Sequence, residues 1–487
     1  MNSIPKNTDP ITKTPVLYHK EPIAFIQSLQ KGRKITPINP KSPLHKNSFT
    51  LKLTKKNLSV RIVATKTHPF AVEIGDQKHS YIANIRPKPI VLKDIFLSSQ
   101  KSRLSTGSIH ELHTKGYSKK RAYYYRLIIP LEKELALHYI LEERPFSTDL
   151  GYRSRTGHQV IAGSEAFTIC FLHDDIKQYY LSIESGQKQS FDSFSDKSFS
   201  IQCALAFVSG QFPGGVSFFF AYRKANKKAH DQLRMIETRK PIRTLYQPVY
   251  TNPYAFSGFK RSVLEKWYKS KCLRPVSIAE FSNLYLKPLQ SDELRIVALL
   301  LAQSLGSSME QLPGGISIAL EMLPAIILCD LKVDLKPIKD KKLREKILGG
   351  FKAILDDNLI ALGTEAHAIL LGKLQHFNQV TNKAKLRVPF TQLGIHLSPQ
   401  DEEVIESRNK FLHGEIPDVL NLGEDRPSFR KTRDAYYCGV RLYTLISMLI
   451  LKWVGYDNYV LNQPIIHNNI CEVPLNEPLY RKIPPNS

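Results

Sequence analysis

Cysteine is scarce and scattered. The six residues Cys170, Cys203, Cys272, Cys329, Cys438 and Cys471 include no CxxC pair and no closely spaced histidines. A zinc ribbon, a redox pair and a dense disulfide framework are therefore poorly supported, and reduced cysteines in a cytoplasm are the simplest expectation. Acidic residues are also short, with 44 Asp and Glu against 69 Lys and Arg, a formal net charge of +25. Such a charge speaks of partners rather than fold: nucleic acid, an anionic membrane surface or an acidic protein. The first residues, MNSIPKNTDPITKTPVLYHKEP, are polar and carry no apolar signal core. The most apolar runs, 315–331 and 442–454, fall short of the roughly 18 uninterrupted apolar residues of a membrane span. The first also contains Glu321 and Pro324, so both are expected as buried helices. GxxxxGK[ST], GxGxxG and GxSxG are all absent, which removes support for NTPase, dinucleotide-binding and α/β-hydrolase chemistry.

What is present is a globular composition, 42% hydrophobic and 10% aromatic over 487 residues, enough for two or three domains. Residues 1–45, rich in Pro, Lys, Asn and Thr, are expected as a basic extended arm. Residues 46–237 read as strands: SFTLKLTKKNLSVRIVATKTHPFAVEI alternates apolar and polar positions. KRAYYYRLIIPL, EAFTICFLHD, QYYLSIES, FSIQCALAFVSG and GVSFFFAYRK are β-branched or aromatic runs separated by turn residues. The Ser/Phe-rich stretch 184–199 is expected as a loop. This β-rich part, sandwich- or barrel-like, is followed by a basic aromatic junction at 238–284. From 285 to 461 the pattern becomes helical, with helices over 291–305, 316–330, 338–360, 362–380, 399–414 and 428–454. Residues 462–487 are expected as an irregular tail. The fold class is α+β.

The segment 398–417, SPQDEEVIESRNKFLHGEIP, carries the best candidate site. Ser398 can cap, Pro399 suits the first helical position, and Asp401, Glu402 and Glu403 complement the positive helix end. The helix should stop near Gly414. Asn409 and His413 are four apart and share a face, whereas Arg408 and His413 lie about 140° apart around an ideal helix and about 7.5 Å along it. One helix therefore does not aim both side chains at one point. A second copy packed antiparallel across a two-fold axis brings two Arg and two His into one cleft.

Arg408-Asn409-Lys410-Phe411-Leu412-His413, ahead of a last long apolar helix, resembles the RxxxxH motif of HEPN-domain ribonucleases, and the wording RNKFLHG is most similar to the Apea-like HEPN branch. The resemblance covers about 285–460. It implies a HEPN-type bundle, a homodimeric composite site, and a bacterial defence protein whose β-rich part senses a phage-derived trigger or restrains the nuclease. It also implies metal-independent cleavage of tRNA or other cellular RNA by 2′-OH attack, leaving a 2′,3′-cyclic phosphate and a 5′-OH, with no cofactor and no membrane partner. Glu321, in ISIALEML, matches the acidic residue of an earlier helix in such bundles. The residue types suit the chemistry: His413 exchanges protons near neutral pH, Arg408 offers a charged planar fork, and Asn409 can orient either group. Lys410, Arg430, Lys431 and Arg433 are the RNA-binding candidates beside it.

Other readings stay open. Arg408 can instead pair with Glu406 or Glu415, or the motif can stabilise a dimer in a non-catalytic binding module. The protein can also be a sensor subunit whose β-rich part binds a phage protein or a carbohydrate. Arg153 and His158 share the RxxxxH spacing but are expected in a loop. Arg223 and His230 match a longer variant on a possible short helix, whose basic residues read better as an RNA-contacting or solvated face. His110-Glu111-Leu112-His113 is expected as a solvated loop rather than a metal site. Tyr123, Tyr124, Tyr125 and Arg126 can either stack bases or pack in a strand.

Overall fold

The computed structural model describes residues 16–37, 48–54, 57–63, 79–85, 88–101, 104–135, 137–150, 157–174, 177–413, 415, 428–471 and 475–485. The chain forms two compact units, 1–306 and 307–487, so the division falls after Gly306 rather than at 284/285. The class is α+β.

Twelve strands build the sheet of the first unit: β1 (Arg33–Pro37), β2 (Ser48–Leu53), β3 (Leu58–Val63), β4 (His79–Ile85), β5 (Lys88–Lys101), β6 (Leu104–Thr114), β7 (Tyr124–Leu131), β8 (Gly157–Ala162), β9 (Glu165–His173), β10 (Tyr179–Ser185), β11 (Val216–Tyr222) and β12 (Gln232–Glu237). Their order is β8-β9-β10-β7-β11-β12-β6-β3-β2-β1-β4-β5, every pairing is antiparallel, and β5 pairs again with β6. That last pairing closes a ring of six strands, β1 to β6. Long β6 makes this possible: one edge runs along β5, while the other meets β3 at Leu104–Ile109 and β12 at Glu111–His113. The expected barrel-like character lies in this ring, and the remaining six strands extend from it as an open sheet. Alternation drives the pairing: in β2 and β3, Phe49, Leu51, Leu58, Val60 and Ile62 are fully buried and their neighbours face outward.

Several expectations need correction here. Residues 20–37 are not an extended arm. Helix α1 (Lys20–Gln30) sinks Ile23, Ile26 and Leu29 into the core of the sheet, and β1 is part of the ring; residues 1–15 and 38–45 lie outside the described residues. The stretch expected as a loop followed by the strand FSIQCALAFVSG is one helix, α2 (Phe191–Ser209). Ser190 Oγ caps it by accepting from the Ser193 amide, and Gly210 ends it with φ of 69°. Most of its second half is buried on every side, which erases the 3.6-residue period that identifies surface helices. The junction carries α3 (Arg261–Ser270) and α4 (Ile278–Gln290), and Ser282 Oγ of α4 accepts from the Ile161 amide of β8 at 2.9 Å. The expected helix at 291–305 is α5 (Asp292–Leu305), also in this unit.

The second unit contains α6 (Leu312–Asp330), α7 (Lys341–Asp357), α8 (Leu359–Leu374), α9 (Asn382–Gln392), α10 (Pro399–Leu412) and α11 (Ser428–Trp453). Helix α6 packs against α9, α10 and α11. Gly439 of α11 sits directly over Leu312, whose Cδ2 lies 2.0 Å from where a Cβ would stand. Among the described residues α6 is the one helix long and apolar enough to cross a membrane, because it begins three residues earlier than the apolar run suggested. Its contacts with three neighbouring helices account for that apolarity. The tail is not wholly irregular: β14 (Tyr480–Lys482) pairs with β13 (Tyr459–Leu461).

Candidate functional site

Helix α10 is built as its sequence dictates. Ser398 Oγ accepts from the Asp401 amide and Asp401 accepts from the Ser398 amide, a reciprocal cap, with Pro399 in the first turn. At the other end the His413 amide donates to the carbonyls of Asn409 and Lys410, both at 3.1 Å, so the helix stops where expected.

Three ion-pair sets fix α10 in its unit. Asp401 is fully buried and accepts from Arg441 Nε at 2.8 Å and from Arg481 Nη2 at 2.7 Å. Arg441 also reaches Glu477 and the Tyr437 hydroxyl. These cations hold the Asp401 carboxyl below its usual range against the opposing effect of burial, and its charge joins α10 to α11 and the C-terminal strand. On the α9 side, Arg387 Nη2 donates to Glu402 and Glu406, and Lys383 pairs with Glu406. On the α6 side, Arg408 Nε lies 2.5 Å from Glu321 Oε1 and Nη1 donates to the Ile405 carbonyl at 3.2 Å. The alternative partners of Arg408, Glu406 and Glu415, are not used.

The candidate residues thus separate into two layers. Arg408 is 3% exposed, and its Nη2 is buried with no hydrogen-bond partner among the described residues. It is not presented to solvent as a fork for phosphate, because its 140° offset from His413 turns it into the bundle. Asn409, Lys410 and His413 are exposed, with Asn409 and His413 one turn apart on one face. Glu321, 32% exposed, lines a cleft of about 720 Å³ that also holds Leu328, Arg344, Phe377, Lys385 and Leu386. The backbone of Arg430 and Lys431 is helical in α11, but their side chains lie outside the described residues; Arg433 is half-buried and engaged.

No family model, curated protein or solved structure matches this chain. The site therefore stands on its own geometry.

The secondary candidates are displaced. His110 and His113 lie on strand β6, not in a loop, three positions apart and so on opposite faces; His110 meets Glu237, and the His113 ring lies tilted against Tyr117. His158 is on strand β8, buried, while Arg153 lies outside the described residues. Arg223 and His230 sit in the turn between β11 and β12 rather than on a helix, paired with Asp231 and Glu21. Of the basic residues there, Lys227 pairs with buried Glu184 and Arg234 with Glu111, so much of that face is structural. Tyr123 and Tyr125 are fully buried and cannot stack bases. Arg126 is fully buried as well, its Nε 2.7 Å from Glu184, which also meets His19 at 3.1 Å. Sequence reading missed this Glu184 cluster and the Asp401–Arg441 pair. Asp401 was legible only as a charge at a helix end, since burial depends on distant Arg441 and Arg481.

Proposed function

We propose that the second unit is a HEPN-type, metal-independent endoribonuclease that cuts tRNA or other cellular RNA. The observation that carries this reading is the exposed pair Asn409–His413 at the end of α10, held in place from inside the bundle by Arg408 on Glu321. His413 accepts the proton of an RNA 2′-OH as that oxygen attacks the adjacent phosphorus. The P–O5′ bond breaks, the leaving oxygen takes a proton, and a 2′,3′-cyclic phosphate and a 5′-OH remain. Asn409, one turn away, orients the imidazole or a phosphate oxygen, and exposed Lys410 supplies nearby charge. Arg408 acts as a positioning residue in the single chain. Two copies of α10 across a two-fold axis complete the site, and a net charge of +25 favours RNA through counterion release. In this proposal the protein works in a bacterial cytoplasm against phage. The β-rich unit receives the trigger, and its cleft of about 830 Å³ near Gln30, Glu132, Lys240 and Arg243 is the place to look for it.

A second reading, a non-catalytic RNA- or protein-binding HEPN module, is favoured by the burial of Arg408 within its own chain. The two separate in one experiment: total tRNA incubated with the purified chain in EDTA, with the termini of the products analysed. Cyclic phosphate and 5′-OH ends support the nuclease; intact RNA retained on the protein supports the binding module.

A further inference from the structure

Helix α3 (Arg261–Ser270) rests on the first unit through Leu264, its one buried residue, while Trp267 is half-buried. Lys260, Arg261, Lys266, Lys269 and Lys271 lie on or beside this helix against the single acid Glu265. Arg261 and Lys269 both pair with that acid, at 3.1 and 3.8 Å, yet stay 86% and 77% exposed. One carboxylate cannot neutralise five cations, so the surface is strongly positive. Arg261 and Tyr268 are seven positions apart, close to two helical turns, and therefore share a face with Lys269 next to them. Tyr268 is 60% exposed, and its ring centroid lies 5.2 Å from that of Tyr254, itself 43% exposed. The rings are tilted by 52°, so neither covers the other's face.

Tyr254 is firmly mounted. It sits in a one-turn 3-10 helix, Pro253–Ala255, whose cap residue Asn252 accepts from the Tyr254 amide through Oδ1 at 3.1 Å. The neighbouring Thr251 amide donates to the Tyr139 carbonyl at 3.0 Å, and the Tyr139 and Tyr250 rings pack together. An exposed aromatic on its own needs no explanation. Two that touch, on ordered backbone amid uncompensated cations, supply both parts of a single-strand site: ring faces take unpaired bases, and cations follow the phosphates. Other occupants of a basic surface fit less well. A helix lying in a membrane interface sinks its apolar side into lipid, but here Leu264 is occupied inside the protein and Trp267 is half covered. An acidic peptide engages the cations and leaves both rings unused.

We infer that α3 and the Tyr254 turn form a binding surface for single-stranded nucleic acid, with Tyr254 and Tyr268 stacking bases and Arg261 and Lys269 flanking the backbone. Fluorescence anisotropy of the full chain with a labelled thymidine oligomer of about 15 nucleotides tests it. Thymidine has no 2′-OH to attack, so this binding and the proposed cutting fail or succeed separately. A 2′-O-methyluridine oligomer is the RNA arm, expected to bind within a few-fold, and a duplex of equal length is expected to bind at least tenfold more weakly. Circular dichroism confirms that each variant is folded; all changed positions are exposed. Tyr254→Ala and Tyr268→Ala are each expected to weaken binding about tenfold. Tyr268→Phe is expected to keep wild-type affinity, whereas Tyr268→Leu is expected to fall with the alanine variant, because stacking needs the ring and not its hydroxyl or its apolarity. Arg261→Gln/Lys269→Gln is expected to lower the slope of log affinity against log salt by about one. No binding by wild type at low salt, equal affinity for the duplex, or indifference to loss of the rings would overturn the inference. So would a leucine variant as tight as wild type, or phosphatidylserine vesicles that bind wild type and not Tyr268→Ala while the oligomer binds both equally.

Discussion

Arg408 Nε lies 2.5 Å from Glu321 Oε1, joining α10 to α6 across 87 residues of sequence. Arg408 is buried and Glu321 a third exposed, and among the described residues Glu321 is the carboxylate that pairs with this guanidinium. Glu321→Gln strands a buried guanidinium, and the expected loss is about 3 kcal/mol, at the low end for a buried pair because Glu321 still touches solvent. Arg408→Met combined with Glu321→Gln is expected to recover most of that loss. A double-mutant cycle in urea checks this; strictly additive single effects would contradict the pairing.

The contact between α6 and α11 depends on Gly439. A Cβ there would stand 2.0 Å from Leu312 Cδ2, so Gly439→Val must displace that side chain and is expected to cost about 1–3 kcal/mol. Leu312→Ala alone opens a cavity, but added to Gly439→Val it is expected to relieve part of the damage. Urea midpoints of the three variants decide the matter.

Acid sensitivity follows from His158. Burial on β8 pushes its imidazole down to about 4, and Nδ1 donates to the Glu142 carbonyl at 2.8 Å. In the unfolded chain the same group titrates near 6.5. Between those values the unfolded state binds a proton that the folded state refuses, so stability falls as pH drops from 6.5 towards 4, by about 3 kcal/mol over the window. His467 is depressed to about 4 by the same cause and adds in the same direction. Thermal unfolding from pH 7.5 to 4.5 is expected to be shallower for His158→Gln, which keeps a donor for the carbonyl and cannot titrate. An unchanged slope would show that His158 is not the responsive group.

What the sequence disclosed was local chemistry. The limits of α10 were legible because Ser398, Pro399 and Asp401 act within one turn, and β2 and β3 because alternation marks a strand with one buried face. Helix α2 was hidden because FSIQCALAFVSG is apolar all round, and burial on every side looks the same in a strand and in a core helix. The inward turn of Arg408 was implied by its angle to His413, yet only Glu321 on α6 explains why it stays there. Burial of Tyr123, Tyr125 and Arg126 depends on α2, His19 and Glu184, all distant in sequence. The helical period of α7 and α8 was visible too, but not that neither helix would bury a residue.

In the proposed nuclease His413 moves the proton while Arg408 holds the helix from behind. The most direct measurement is the first-order rate of tRNA cleavage in EDTA by wild type and His413→Ala at equal concentration. The expected result is cutting by wild type that leaves cyclic phosphate, with a loss of about 10²–10⁴-fold in the variant and an unchanged urea midpoint. Equal rates for the two proteins would contradict the account.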